Sequence, residues 1–214
     1  MKSITRQKPF EEVKQQLDKF GRVYLVGCGT CATMTRTGGR EEVMAMKEEL
    51  QKLGKLVTGW TVVPTACDEM TGAALAESNG AVENAHCILV MACALGVYRV
   101  NLYMGKPVIP ALDTLFIGME DIPGHFQEVC AQCGQCVLGE MAGVCPLTAC
   151  HKGLLNGPCG GTNNGRCEVD KEKDCAWAVI YERLKGQGRL DLMKKYHPPK
   201  NYQVVPRPKT ARFG

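Results

Sequence analysis

No stretch of this 214-residue chain is long and apolar enough to cross a membrane as a helix. The longest nearly unbroken apolar run, Cys87 to Val97, is about half of the roughly 20 residues that a spanning helix needs. The opening segment, Met1 to Phe10, has no apolar stretch of the kind that marks a signal peptide, so the expected compartment is the cytoplasm. A hydrolytic or nucleophilic constellation is missing as well. The four histidines, His86, His125, His151 and His197, have no evident partner for acid–base work, and no cysteine carries a local catalytic signature.

Against these absences stand thirteen cysteines. A reducing compartment disfavours stable disulfides, and an odd count leaves one thiol over. Thiols in such a setting are more often metal ligands or redox centres, while some serve simply as small buried hydrophobes. A hydrophobic content of 45% is enough for a soluble protein with a buried core. The net charge of +4 is unevenly spread: from Gly186 to Gly214 seven Lys or Arg face one Asp, and the rest of the chain is slightly acidic. A near-neutral body argues against nucleic-acid binding there, although a basic tail alone does not settle the matter.

Hydrophobic periodicity predicts an alternation of helix and strand. Pro9 to Phe20 places Phe10, Val13, Leu17 and Phe20 on one helical face, and Val23-Tyr24-Leu25-Val26 reads as a strand ending at Gly27-Cys28-Gly29. Arg40 to Leu53 is a helix that Gly54 can stop, and Leu56 to Val63 is a second strand ending at Pro64. A helix over Glu69 to Ala81, a strand over Cys87 to Met91, a helix through Tyr103 and a short strand over Pro107 to Leu112 complete the series. Strands that are continuous apolar runs belong to parallel sheets covered on both faces. The expected fold class is therefore α/β: a small parallel sheet with flanking helices over residues 1–120. An irregular cysteine-rich metal-binding domain follows over 121–185, and an extended basic, proline-containing tail over 186–214. The Cys130 to Cys175 region has too little apolar periodicity for a core of its own, until a helix around Trp177 to Leu184, so metal is expected to hold it. For the tail two readings stand side by side, a segment that wraps a partner and a disordered solubilising end, with Val204 to Pro208 extended.

In a parallel sheet the carboxyl ends of the strands share one edge, where ligands bind. Cys28 and Cys31 follow the first strand, Cys67 the second and Cys93 the third, so the topology would bring four thiols to that edge. Four thiolates suit a [4Fe–4S] cluster or a structural zinc. A competing reading takes Gly27-Cys28-Gly29-Thr30-Cys31-Ala32 as a dinucleotide fingerprint. That fingerprint needs an acid at the end of the next strand, about 20 residues on, and Asp68 lies about twice as far away. Cys87, at the start of the third strand, reads as a core residue and is left out of the set.

Cys130-x2-Cys133-x2-Cys136 with a later Cys145-Pro146 is the strongest local signal, because bacterial ferredoxins wrap one cube in such a loop. The interval before Cys145 is longer than theirs, and zinc more typically pairs two Cys-x2-Cys knuckles. Cys150, Cys159, Cys167 and Cys175 follow at wide intervals, Cys159 within the turn-rich Asn156-Gly157-Pro158-Cys159-Gly160-Gly161. His151 is a candidate nitrogen ligand or a polar surface residue. These eight cysteines can supply two four-ligand sites, and their spacing leaves the allocation open.

Taken in order, Cys130-x2-Cys133-Gly134-x-Cys136, Cys145-Pro146-x3-Cys150-x-Lys152-Gly153, Asn156-Gly157-Pro158-Cys159-Gly160-Gly161, Cys167-Glu168-Val169 and Cys175-Ala176-Trp177-x2-Ile180-Tyr181 form a pattern. It resembles the small cysteine-rich iron–sulfur subunit of bacterial methylenetetrahydrofolate reductase, and the resemblance extends over nearly the whole chain. What it implies is an electron-transfer subunit with [4Fe–4S] clusters in two or three sites, zinc being an alternative in one. It also implies a partner, the flavin-containing barrel subunit that reduces methylenetetrahydrofolate in the acetyl-CoA pathway, with further redox subunits beyond it. FMN or FAD belongs to that partner, since neither a flavin nor a folate motif is visible here. The resemblance carries over the C-terminal cysteines as ligands, while Cys28, Cys31, Cys67 and Cys93 rest on topology as well. The rival class is a zinc-stabilised assembly scaffold without a redox role.

Overall fold

The computed structural model describes residues 2–205 and 207–209. The apolar runs form the strands expected of them. In chain order the elements of the first compact unit are β1 (Lys2–Gln7), α1 (Phe10–Gln16), β2 (Arg22–Cys28), α2 (Cys31–Met34), α3 (Arg40–Lys52) and β3 (Leu56–Val63). Then come α4 (Thr71–Ala76), α5 (Asn79–Glu83), β4 (Cys87–Met91), α6 (Ala94–Tyr103), β5 (Val108–Pro110), β6 (Leu112–Ile122) and β7 (His125–Gln127). Four strands make a parallel sheet in the order β3-β2-β4-β5.

Period-two alternation explains how that sheet is buried. Tyr24, Val26 and Cys28 of β2 share one face with Ile88 and Val90 of β4. Val23 and Leu25 share the other with Cys87, Leu89 and Met91. Leu75 of α4, Val82 of α5 and Val100 of α6 pack on the first face, and Val13 of α1 with Val43, Met46 and Leu50 of α3 on the second. The helix expected over Glu69 to Ala81 is two short ones, broken at Glu77-Ser78. Serine offers the backbone competing hydrogen bonds and so tends to end helices.

A second sheet was not foreseen: β1, β6 and β7 lie in the order β1-β6-β7, with β1 and β6 antiparallel. Its strand β1 escapes hydrophobic patterning because two of its three buried residues, Ser3 and Thr5, are polar. The Thr5 hydroxyl is satisfied by those of Thr35 (3.0 Å) and Thr37 (2.6 Å), in the loop after α2. Strand β6 also carries the first unit past residue 120, and the chain divides into compact units at Phe126–Gln127.

The second unit holds α7 (Pro146–Ala149), α8 (Ala176–Gly186) and two 3₁₀ turns, Leu190–Lys194 and Tyr202–Val204. It has a small core of its own, in which Met141, Trp177, Ile180 and Leu184 are buried and Val137, Val144, Leu192 and Met193 pack around them. The described part of the tail folds back onto its own unit. Leu192 and Met193 join the core, Arg189 donates to the Gly139 carbonyl (3.0 Å), and Lys195 pairs with Glu140. The stretch expected to be extended begins instead with the Tyr202–Val204 turn; Pro206 and residues 210–214 lie outside the described residues, as does Met1. Among the described residues no helix is long and apolar enough to cross a membrane.

Two outcomes follow from this packing. Leu25, fully buried in the central strand, should cost about 2–5 kcal/mol when replaced by Ala, and Leu115→Ala, at a residue 48% exposed, within about 0.5 kcal/mol, both read by urea denaturation. The β1–β6 pairing is flanked by ion pairs, Lys2 with Glu120 and Lys8 with Asp113 (2.7 Å). Hydrogen bonds from Lys8 and Lys2 hold the Asp113 and Glu120 carboxyls below their ordinary values of 3.8 and 4.5. Depressed carboxyl pKa values contribute stability that is complete above the ordinary carboxylate range and lost as pH falls through and below it. Amide exchange in β1, corrected for intrinsic rates, should therefore accelerate on acidification more than exchange in β2, and equal acceleration would contradict the assignment.

Candidate metal centres

The first site is built by strand ends. The order β3-β2-β4 puts a topological switch point between β2 and β4, the place where doubly wound sheets bind ligands. Cys28 closes β2, Cys31 opens α2, Cys67 follows β3, and Cys93 is the N-cap of α6. Cys28 and Cys93 are buried, Cys31 and Cys67 half-buried. The strand ends place all four on one sheet edge without closing them to metal-binding distance; burial first, and then the neighbouring thiols of Cys93, Cys28 and Cys31, push the Cys67 thiol above its ordinary value. Burial acts on Cys28 in the same sense, but it is outweighed. The Ala66 backbone, the Thr30 hydroxyl (3.3 Å) and the Thr30 and Ala32 backbone bond to its sulfur and hold it below the ordinary thiol value.

Close backbone approach makes this crowding feasible. A side chain on Gly96 would strike the methyl groups of Ala66 and Ala92, both at 2.8 Å, so glycine lets α6 lie against the loop that carries Cys67. Gly38 sits against the Met91 carbonyl at the end of β4, with no room for a methyl group, and its own carbonyl accepts from the Cys28 N–H (3.0 Å). Threonines brace the turn between: Thr33 donates to the Cys28 carbonyl (2.8 Å) and Thr35 to that of Cys31 (3.0 Å). Cys87 is elsewhere, fully buried among Leu89 and Met91, its thiol pushed up to about 11 by burial.

In the second unit four of the eight cysteines share one lining. Cys150, Cys159, Cys167 and Cys175 ring one small cavity of about 20 Å³ together with Lys152, Glu168 and Trp177. Cys175 is the N-cap of α8, beside the unpartnered N–H groups of its first turn. The Gly161 N–H donates to the Cys159 sulfur (3.4 Å). Trp177 is anchored by its indole N–H on the Leu154 carbonyl (3.0 Å). Cys130, Cys133, Cys136 and Cys145 do not line that cavity. Cys130 and Cys136 are exposed, and the Gln132 N–H donates to the Cys130 sulfur (3.3 Å), with Gln132 at φ +54° and Gly134 at φ +72° tightening the loop. Val137 and Val144 pack into the same core, so the segment between Cys136 and Cys145 is a compact turn, and Cys145 caps α7 with Pro146 in its first turn. Among the described residues no three His, Cys, Asp or Glu come close enough together to hold a single metal ion.

Several contacts were hidden by sequence distance. Glu168 reaches into the Cys150 cavity, where Cys159 donates to its carboxylate (3.5 Å) and Lys152 pairs with it; its carboxylate fills the space a Gly161 side chain would take. Three of the four histidines do lie beside carboxylates: His125 and Asp121 (2.6 Å), His151 and Asp170 (3.7 Å), and the buried His197 and Glu140 (3.5 Å). His151 also faces the Cys167 sulfur at 3.7 Å. Asn156 clamps the tail by accepting from the His197 N–H (2.7 Å) and donating to its carbonyl (2.8 Å). A side-chain amide in a cysteine loop, as at Asn156 or Gln135, is the signal that marks such a clamp beforehand.

Residues 109–203 match the family described as methylene-tetrahydrofolate reductase C terminal. That segment, similar to this family, takes in every cysteine from Cys130 to Cys175 and most of the folded-back tail. The four cysteines of the sheet edge lie outside the match. No curated protein and no solved structure matches the chain.

The clustering at the sheet edge has a measurable sign. Cys93 is the largest of the like-charged neighbours that raise Cys67, so Cys93→Ser should shift the pH profile of Cys67 alkylation in the metal-free protein to lower pH. An unmoved profile would place the two thiols apart.

Proposed function

We propose that this chain is an iron–sulfur electron-transfer subunit that serves a flavin-containing methylenetetrahydrofolate reductase, with the folate chemistry carried by the partner. The observation that carries the reading is the placement of Cys28, Cys31, Cys67 and Cys93 after parallel strands at one sheet edge, beside its topological switch point. The match over residues 109–203 supports the choice of partner.

The residues suit a negatively charged guest. Backbone N–H groups point at the Cys130 and Cys159 sulfurs, the Cys28 sulfur is hydrogen-bonded by backbone and hydroxyl, and Cys93 and Cys175 stand at helix N-termini, where the dipole favours negative charge. Cys28, Cys31, Cys67 and Cys93 would hold one [4Fe–4S] cluster, Cys130, Cys133, Cys136 and Cys145 a second, and Cys150, Cys159, Cys167 and Cys175 a third. When bound, such a cluster supplies one-electron transfer at a potential set by net charge, hydrogen bonds to sulfur and exposure. The chain itself contributes three different surroundings: a largely buried set at the sheet edge, an exposed loop at Cys130, and a cavity with a carboxylate at Cys150.

A second reading applies to the Cys150 set alone. Its cavity has room for about one water-sized guest, which favours a single zinc held by four thiolates once they close inward. A larger guest requires the exposed Cys159 to swing out.

Anaerobic purification with iron, acid-labile sulfide and zinc counted on one sample tests both. About twelve irons per chain, with visible absorption that bleaches on dithionite, is expected for three clusters, and Cys67→Ser, Cys133→Ser and Cys159→Ser should each remove about a third of the iron. About eight irons with one zinc lost in Cys159→Ser assigns zinc to the cavity. A colourless protein holding only zinc would overturn the electron-transfer reading in favour of an assembly scaffold.

A further inference from the structure

The basic tail and the most exposed thiol loop are one surface. Lys200 donates to the Gln135 carbonyl and Lys209 to that of Gln132 (2.9 Å), both between Cys130 and Cys136. Between these two points Val204 and Val205 lie on Gly134, where an added methyl group would meet them at 3.1 and 2.9 Å. The Asn201 N–H is held by the Gln135 side chain (2.8 Å). These contacts along the strap lay the charges of Lys200 and Lys209 across the loop that exposes Cys130 and Cys136, with exposed Arg207 between them in sequence. The loop has no charged residue of its own, and Glu128 is the acid nearest to it in sequence. Of the nearby acids, Glu140 is already paired with Lys195. Tyr202, 75% exposed, adds a large aromatic side chain of the kind that anchors protein interfaces.

We propose that this lysine-framed loop is the docking surface for an acidic electron-carrier protein. The identity of the partner as a carrier rests on the electron-transfer reading; its acidity rests on the charges alone. A positive frame around a neutral, thiol-bearing loop steers a negatively charged partner to the point where the metal centre is least covered, and accelerates encounter without tight burial. An acidic protein is favoured over nucleic acid because two of the lysines are spent on carbonyls of the loop itself. That places their charge at a patch rather than along a groove, and the body of the chain is slightly acidic.

The test uses the full-length chain with its metal and, as probe, an oxidised bacterial two-cluster ferredoxin, an acidic iron–sulfur carrier. Binding is measured anaerobically by calorimetry at about 0.05 and about 0.3 M ionic strength, across which the screening length falls from about 14 to about 6 Å. Affinity should weaken on the order of tenfold with salt, and by a similar factor in Arg207→Glu and in Lys200→Gln at low salt. Arg207 makes no hydrogen bond or ion pair among the described residues, so its substitution tests the charge without loosening the strap. Metal content is counted on every sample. Clusters present with no ferredoxin binding, or with binding indifferent to salt and to both substitutions, would overturn the surface and leave the electron-transfer reading intact. Zinc-only protein that binds ferredoxin as expected would support the surface while removing the redox role. Tighter binding of a mixed-sequence single-stranded RNA, lost in the same variants, would make the strap a nucleic-acid surface and overturn the proposal.

Discussion

Thiols gathered at one point resist ionising, since each negative charge raises the cost of the next, and burial raises that cost further. At the sheet edge this opposition is visible in a single pair. Cys67 carries the penalty of burial and of three neighbours, whereas Cys28, more deeply buried, is held the other way by hydrogen bonds that converge on its sulfur. The surrounding backbone is arranged to supply those bonds. The loop from Thr30 to Gly39 folds over the ends of β2 and β4, its hydroxyls tie it to β1, and glycines at positions 38 and 96 let main chain approach main chain where any side chain would hold it off. The antiparallel sheet thus has a part in the candidate site although it holds none of the four cysteines, because β1 braces the turn that follows Cys31.

The second unit meets the same electrostatic problem with less scaffold. Its core is a short helix and a few side chains, and its cysteine loops are held from outside by the tail: Asn156 grips His197, Gln135 grips Asn201, and Glu140 pairs with Lys195. Amide–backbone clamps of this kind replace strand pairing where the chain has too few apolar residues to form strands. They also explain how a segment rich in glycine and proline keeps one shape around Trp177.

What could be read beforehand follows from which interactions leave a periodic trace. The four parallel strands did, because each is a continuous apolar run covered on both faces, and so did the placement of Cys28, Cys31, Cys67 and Cys93 after those strands. Cys87 was also recognisable as core from its position at the start of a buried run. Strand β1 left no such trace, since Ser3 and Thr5 are buried on threonine hydroxyls rather than on apolar side chains. The grouping of Cys150 with Cys159, Cys167 and Cys175 depends on loop closure, which spacing does not encode. The tail misled for a different reason: its charge and prolines are those of a solvated end, and the contacts that fold it back run through carbonyl groups that every residue possesses.

The strap has a consequence for biosynthesis. Because Lys200 and Lys209 bond to carbonyls of the Cys130–Cys136 loop, a nascent chain lacks these two contacts until translation has passed Lys209. The sheet-edge cysteines, by contrast, need chain no farther than β6, which pairs with β1 and whose Thr114 hydroxyl accepts from the Ala94 N–H (2.8 Å) beside Cys93. The two groups of cysteines therefore gain their full set of contacts at different moments of synthesis, the sheet edge first.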